Sequence, residues 1–195
     1  YHFKDKNIID IAATGKDTDI QTLLSLLPDE LSQKLNQYES KGDVYFNLTL
    51  RGEISKEKSP FVSTSFGCKD ATLFHPDYKS RIEHANLEGS FASPSFTELS
   101  RAELFLKNIS GDLNGKPFTA NLALQNLEDP YLAFDFKGDL EAADILNFYP
   151  LPEIKELTGS IKADFAFEGQ VALLKKKATA QQVRTTGSIE MEKVN

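Results

Sequence analysis

The sequence predicts a mainly β fold: long antiparallel strands in a curved sheet or repeating β-groove, with two short helical inserts. Three observations carry that expectation. Apolar and polar residues alternate over most of the chain, as in GDVYFNLTLRG at 42–52 and GSIKADFAFEG at 159–169, which marks strands with one buried face. The runs are separated by turn residues such as Asn114-Gly115 and Asp129-Pro130. The two quoted segments are also one pattern written twice, and both of their glycine pairs (Gly42 and Gly159, Gly52 and Gly169) are separated by 117 positions. Upstream of them, IDIAATG at 9–15 and LAFDFKG at 132–138 both alternate into a glycine. The chain therefore reads as a single β-rich fragment, 1–195, with an internal repeat at 9–52 and 132–169.

The first strand is expected from Phe3 to Ala13, with Ile9, Ile11 and Ala13 on one face and Gly15 as its breaker. Asp17, Thr18 and Asp19 offer N-cap oxygens to a helix whose Ile20, Leu23, Leu24 and Leu27 share a face. Gly42 returns the chain to strand. Val44, Phe46, Leu48 and Leu50 then point one way, and Tyr45, Asn47, Thr49 and Arg51 the other. Strands follow at Phe61–Phe66, Arg81–Phe91 and Ala102–Ile109. Asn114-Gly115 signals a hairpin, because both central positions of a type I′ turn need positive φ. Phe118, Leu122 and Leu124 line the next strand; Leu132, Phe134 and Phe136 line the one after, up to Gly138. Leu140, Ala143 and Ile145 suggest the second helical insert. Phe165 and Phe167 lie inward on the strand after it. Residues 170–186 form a polar, partly helical connector, and Ile189 and Met191 begin a last strand. Short connections between most neighbours make the sheet antiparallel.

Composition narrows the function classes. The net charge of −7 argues against a nucleic-acid partner, which would select a basic face. No apolar run approaches the ~20 residues of a membrane-spanning helix. The chain starts at Tyr1, and its ends read as strand, so it is expected to be a piece of a longer protein. The lone Cys68 reads as a small buried hydrophobe rather than a nucleophile.

Catalytic constellations are nearly absent from the pattern. His2, His75 and His84 have no metal-ligand spacing, and no phosphate-binding glycine motif or nucleophile elbow occurs. Asp135, Asp164 and Glu168 are glycosidase-type candidates by residue type alone, and alternation assigns them to the wet face. No catalytic residue, metal ligand or cofactor is expected. What remains is a continuous apolar face, which reads either as an ordinary core or as a greasy trough. An eleven-residue strand spans roughly 35 Å, the scale of an extended acyl chain.

The order of several short motifs adds a family resemblance. ISGDLNGKPF at 109–118, LALQNLEDP at 122–130, FKGDL at 136–140, Leu157-Thr158-Gly159 and Phe167-Glu168-Gly169 resemble the C-terminal region of AsmA-like proteins, in the AsmA/TamB group of Gram-negative envelope proteins, most closely the Bacteroidetes type. The likeness is strongest over about 60–169. It implies a periplasmic segment whose parent is anchored in the inner membrane. It further implies a hydrophobic β-groove that binds or conducts lipid and supports outer-membrane assembly, with lipid acyl chains and envelope proteins as partners and no chemistry. The positions to which the resemblance assigns the lipid face are Val44, Phe46, Leu48, Leu50, Phe118, Leu122, Leu124, Leu132, Phe134, Phe136, Phe165 and Phe167. A β-scaffold with a closed core, binding partners at its edges, is the alternative.

Overall fold

A computed structural model describes residues 7–18, 39–55, 57–75, 80–96, 98–143, 157–174, 179 and 181–193. Within them, nine strands form one curved, unclosed sheet in sequence order. They are β1 (Asn7–Thr18), β2 (Glu39–Ile54), β3 (Phe61–His75), β4 (Ser80–Ser93), β5 (Glu103–Leu113), β6 (Lys116–Gln125), β7 (Tyr131–Glu141), β8 (Ser160–Gln170) and β9 (Arg184–Glu192). Every neighbouring pair is antiparallel, as expected. A 3₁₀ turn at Leu99–Arg101 and a single helical turn, α1 (Val171–Leu174), complete the described elements. The predicted helical inserts fall mainly on 19–38 and 144–156, outside the described residues. Ala142 and Ala143, at the start of the second, are helical.

Two glycines expected to end strands lie inside them. β1 continues through Gly15 to Thr18, and β7 continues through Gly138 to Glu141. Leu140 therefore belongs to β7, opposite Ile161, and not to a helix. The physical reason is packing. Phe46 is the cross-strand partner of Gly15, and a Cβ there would run into the Phe46 ring. A Cβ on Gly138 would sit 2.7 Å from Cβ of its partner Phe118. Gly15 thus makes room for a neighbouring ring, a known way of stabilising glycine in sheets, and Gly138 for the close approach of the neighbouring strand at Pro117 and Phe118. By contrast Asn114 and Gly115, with φ of 52° and 82°, form the expected hairpin turn.

β3 and β5 are also longer than the alternation alone suggests, and β-bulges explain why. Each of four strands carries one extra residue with positive φ: Asp17 in β1, Asp70 in β3, His84 in β4 and Asn108 in β5. Asn, Asp and His tolerate this left-handed conformation better than most residues. A bulge shifts the alternation by one, so the inward residues change from Val62, Phe66 and Cys68 to Ala71 and Leu73. β6, β7 and β8 pair without any such shift.

Some of the buried residues form two clusters. Val44, Cys68, Ala71 and Ala85 pack together across β2–β4 with Leu73, Ile82 and Leu87 around them. Ala142, Ile161 and Ala163 pack with Phe136, Leu157 and Phe165 at β7–β8. Ala142 and Leu157 flank the second insert, so its described ends rest on the apolar face.

Candidate functional site

The twelve residues proposed from the sequence lie on one face of the one sheet, because the register connects them strand by strand. Leu124 and Leu132 are partners, as are Leu122 and Phe134, Phe134 and Phe167, and Phe136 and Phe165. Leu48 leads to Thr64 and then Phe91, Leu104 and Leu124. Phe46 leads to Phe66, Gly89, Leu106 and Leu122 in the same way. The apolar rows therefore cross the sheet at right angles to its strands. Leu50 has Ile11 beside it in β1, where Ile11 is 47% exposed.

Burial along this face is uneven. Val44 and Phe46 are only 2% and 8% exposed, while the other ten named residues are half-buried. The aromatic part is concentrated at β6–β8. The Phe118 and Phe136 rings stack with centroids 6.0 Å apart, and Phe134 meets Phe165 edge-on at 5.9 Å. Phe136 stands 6.0 Å from Phe165. These separations fall in the range of favourable ring contacts.

Sequence reasoning missed several members of the face: Val62, Phe66, Leu104, Leu106, Ile109 and Leu113. A signal for some of them is present. Leu104 and Leu106 change parity to Ile109, Gly111 and Leu113 across Lys107-Asn108, and Ile82 changes to Ala85 and Leu87 across His84. An Asn, Asp or His at a parity change marks a bulge.

The opposite face is polar and organised by cross-strand pairs. Lys137 Nζ lies 2.7 Å from Asp164, and Tyr131 donates its hydroxyl hydrogen to Glu168 at 2.8 Å. Asn121 donates to Asp135 at 3.0 Å. The three carboxylates considered as catalytic candidates thus each have a strand-to-strand partner and are exposed. The Asp164 hydrogen bond and charge raise the Lys137 pKa, and the Glu168 hydrogen bond raises that of Tyr131. On the apolar side, burial pushes the Cys68 thiol up, consistent with an inert small hydrophobe. His2 and the side chain of His75 lie outside the described residues.

The bulges are stitched together on the polar face. The backbone N–H of Asp70 donates to the Asn86 side chain at 3.1 Å, and that of Asn108 donates to Asn121 at 2.9 Å. Asn86 in turn donates to the His84 carbonyl at 2.8 Å. His84 Nδ1 is 2.7 Å from Asp70 Oδ1. Asp70's hydrogen bond, then its charge, raise the His84 pKa above 6.5, with Asp112 and Glu83 adding to the effect. A raised histidine pKa stabilises the fold below the unfolded value near 6.5, and this contribution is lost as pH rises through the folded value. NMR titration is expected to place His84 above 6.5, and Asp70→Asn to lower it. Between pH 6 and 8 the wild type should lose a small increment of stability that His84→Asn does not lose. Equal titration with and without Asp70 would refute the pairing.

Surface depressions among the described residues are shallow. Two of them, of about 460 and 470 Å³, lie beside Lys137 and Asp164 and at the strand ends near Tyr131 and Arg184. No group of three or more His, Cys, Asp or Glu among the described residues is arranged to hold a metal ion. No described helix is long and apolar enough to cross a membrane. Comparison with family models, characterised proteins and solved structures finds no match for this chain.

Proposed function

We propose that this chain is a periplasmic, non-enzymatic segment of an AsmA-like envelope protein that holds lipid acyl chains along the apolar face of its sheet. Its parent is anchored in the inner membrane and supports outer-membrane assembly. The observation that carries the reading is a band of mostly half-buried apolar side chains, broken in its two rows by Thr64 and Gly89, that crosses an unclosed sheet from β2 to β8. A surface of this kind takes flexible hydrocarbon without directional contacts, by removal of apolar area from water. The aromatic group at Phe118, Phe134, Phe136 and Phe165 is its most concentrated part.

Photo-crosslinking in cells, followed by lipid extraction and mass spectrometry, tests the proposal. A crosslinker at Phe134 or Phe165 should capture lipid, whereas one at the wet-face positions Asp135 or Asp164 should not. The double change Phe134→Ser with Phe165→Ser should reduce co-purified lipid severalfold while the sheet persists by circular dichroism. Absence of lipid from the purified protein and of any crosslink in cells would overturn the reading.

A second reading rests on a specific contact. Ala142 and Leu157 cover part of the face by packing on Ile161, Ala163, Phe136 and Phe165. If such cover extends over the whole face, the sheet is a scaffold with a closed core, and partners bind its edges. A crosslinker at Phe134 that captures only protein would favour this reading.

A further inference from the structure

We propose that the polar face of the sheet carries a binding site for a neutral sugar, in a depression of about 390 Å³ between Phe105 and Glu168. The depression lies on the side opposite to the face assigned to lipid and does not depend on that assignment. Its volume falls in the range of small-ligand sites, about 300–1,000 Å³. It is built on β5–β8, away from both edge strands. Phe105 on β5 is the cross-strand partner of Ala123 on β6, Ala123 that of Ala133 on β7, and Ala133 that of Glu168 on β8. Three strand spacings separate Phe105 from Glu168, about 14 Å between Cα atoms, which leaves room for a pyranose ring.

The first argument is the aromatic wall. Phe105 is half-buried on the wet side and belongs to neither apolar cluster. It lines the depression together with Lys107, whose ammonium stands 5.7 Å from the ring centroid. Ala123 and Ala133 keep the floor beside it low. An apolar ring on an otherwise polar face suits the C–H side of a sugar ring, which is apolar while its rim of hydroxyls is polar.

The second argument is the set of hydrogen-bonding groups around that wall. Asp135 accepts from Asn121 through Oδ1, and Glu168 accepts from the Tyr131 hydroxyl through Oε1. Each carboxylate is thereby held by a neighbouring strand, and its other oxygen has no partner among the described residues. Asn121 accepts the backbone N–H of Asn108 through its own Oδ1, and its amide keeps a second N–H to donate. Free acceptors and a free donor beside an apolar ring match hydroxyls, which both donate and accept. Lys107 and Arg184, the cross-strand partner of Glu168, balance the charges of Asp135 and Glu168. A site without net charge selects a neutral ligand over phosphates and uronic acids. A hydrocarbon chain there would leave the polar groups unpaired.

NMR titration of the ¹⁵N-labelled 195-residue chain with maltose, cellobiose and chitobiose tests the site. At least one of the three is expected to shift the amides of Asn121–Ala123 and Ala133–Asp135, with a Kd on the order of 1 mM, as suits an open site. Asp135→Asn, Glu168→Gln and Phe105→Ala should each weaken binding about tenfold. Ala133→Leu, which fills the floor, should abolish it. Thr49→Leu, on the same face but outside the depression, should leave it unchanged. Circular dichroism of each variant separates loss of binding from loss of fold. No shift with any of the three disaccharides, tighter binding of glucuronate, or binding that survives Ala133→Leu would overturn the proposal.

Discussion

Val44→Asp is expected to destabilise the chain by roughly 3–5 kcal/mol, the cost of an uncompensated charge in a packed interior. Val44 is 2% exposed and sits between Cys68, Ala71 and Ala85. None of these side chains can pair with a carboxylate. The new carboxyl would avoid ionising, so its damage should grow as pH rises from 5 to 8. Asn47→Asp, three positions along β2 on the exposed face, is the matched control and should change stability by less than about 0.5 kcal/mol. Urea denaturation gives both values from the midpoint, with the slope as a check on two-state behaviour. Similar costs at the two positions would contradict the assignment of faces.

The second large effect is expected from Gly42→Ala, at about 2–4 kcal/mol. Two penalties combine there. Gly42 has φ of 132°, a conformation that costs an L-residue about 1–3 kcal/mol. Its Cβ would also sit 2.5 Å from the Cα of Ala71, a backbone atom that no rotamer change can move. Gly115→Ala separates the two terms. Gly115 has φ of 82°, and nothing lies within 4 Å of a Cβ there, so it should lose only about 1 kcal/mol. Ala71→Gly in the Gly42→Ala background should recover part of the difference by removing the Ala71 Cβ at 2.8 Å. Thermal or urea unfolding of the four proteins closes the double-mutant cycle.

These two positions also illustrate how far the fold was legible from sequence. The apolar side of β2 was readable because Val44, Phe46, Leu48 and Leu50 alternate without interruption, and period two is the strand's own geometry. The same holds for Phe134 and Phe136 in β7 and for Phe165 and Phe167 in β8. The antiparallel order followed from short connections and from Asn114-Gly115. Strand ends were less legible because glycine has two uses. Gly115 turns the chain, whereas Gly15 and Gly138 stay in strands and accommodate Phe46 and Phe118. Local sequence does not distinguish these uses, since the crowding residue comes from another strand. The continuations of β3 and β5 were hidden for a different reason. Asp70 and Asn108 interrupt the alternation, and their cross-strand partners, Asn86 and Asn121, are 16 and 13 residues away. The candidate face was thus readable where it is regular and incomplete where the bulges re-aim it.

The bulges determine where this chain can gain or lose single residues over evolution. Removing Asn108 would leave Leu104, Leu106, Ile109, Gly111 and Leu113 in strict alternation, and removing Asp70 or His84 would regularise β3 or β4 in the same way. A one-residue deletion at Asp70 makes the β2–β3 ladder plain and one at Asn108 makes the β5–β6 ladder plain, while the bulge at His84 stays in β4; in each case the oily side keeps facing inward. The same deletion within Phe134–Phe136 or Phe165–Phe167 would invert every side chain beyond it, since β7 and β8 have no slack in their pairing. The first half of the sheet is therefore the tolerant half for length variation. The aromatic half should hold its residue count fixed among descendants of this sequence.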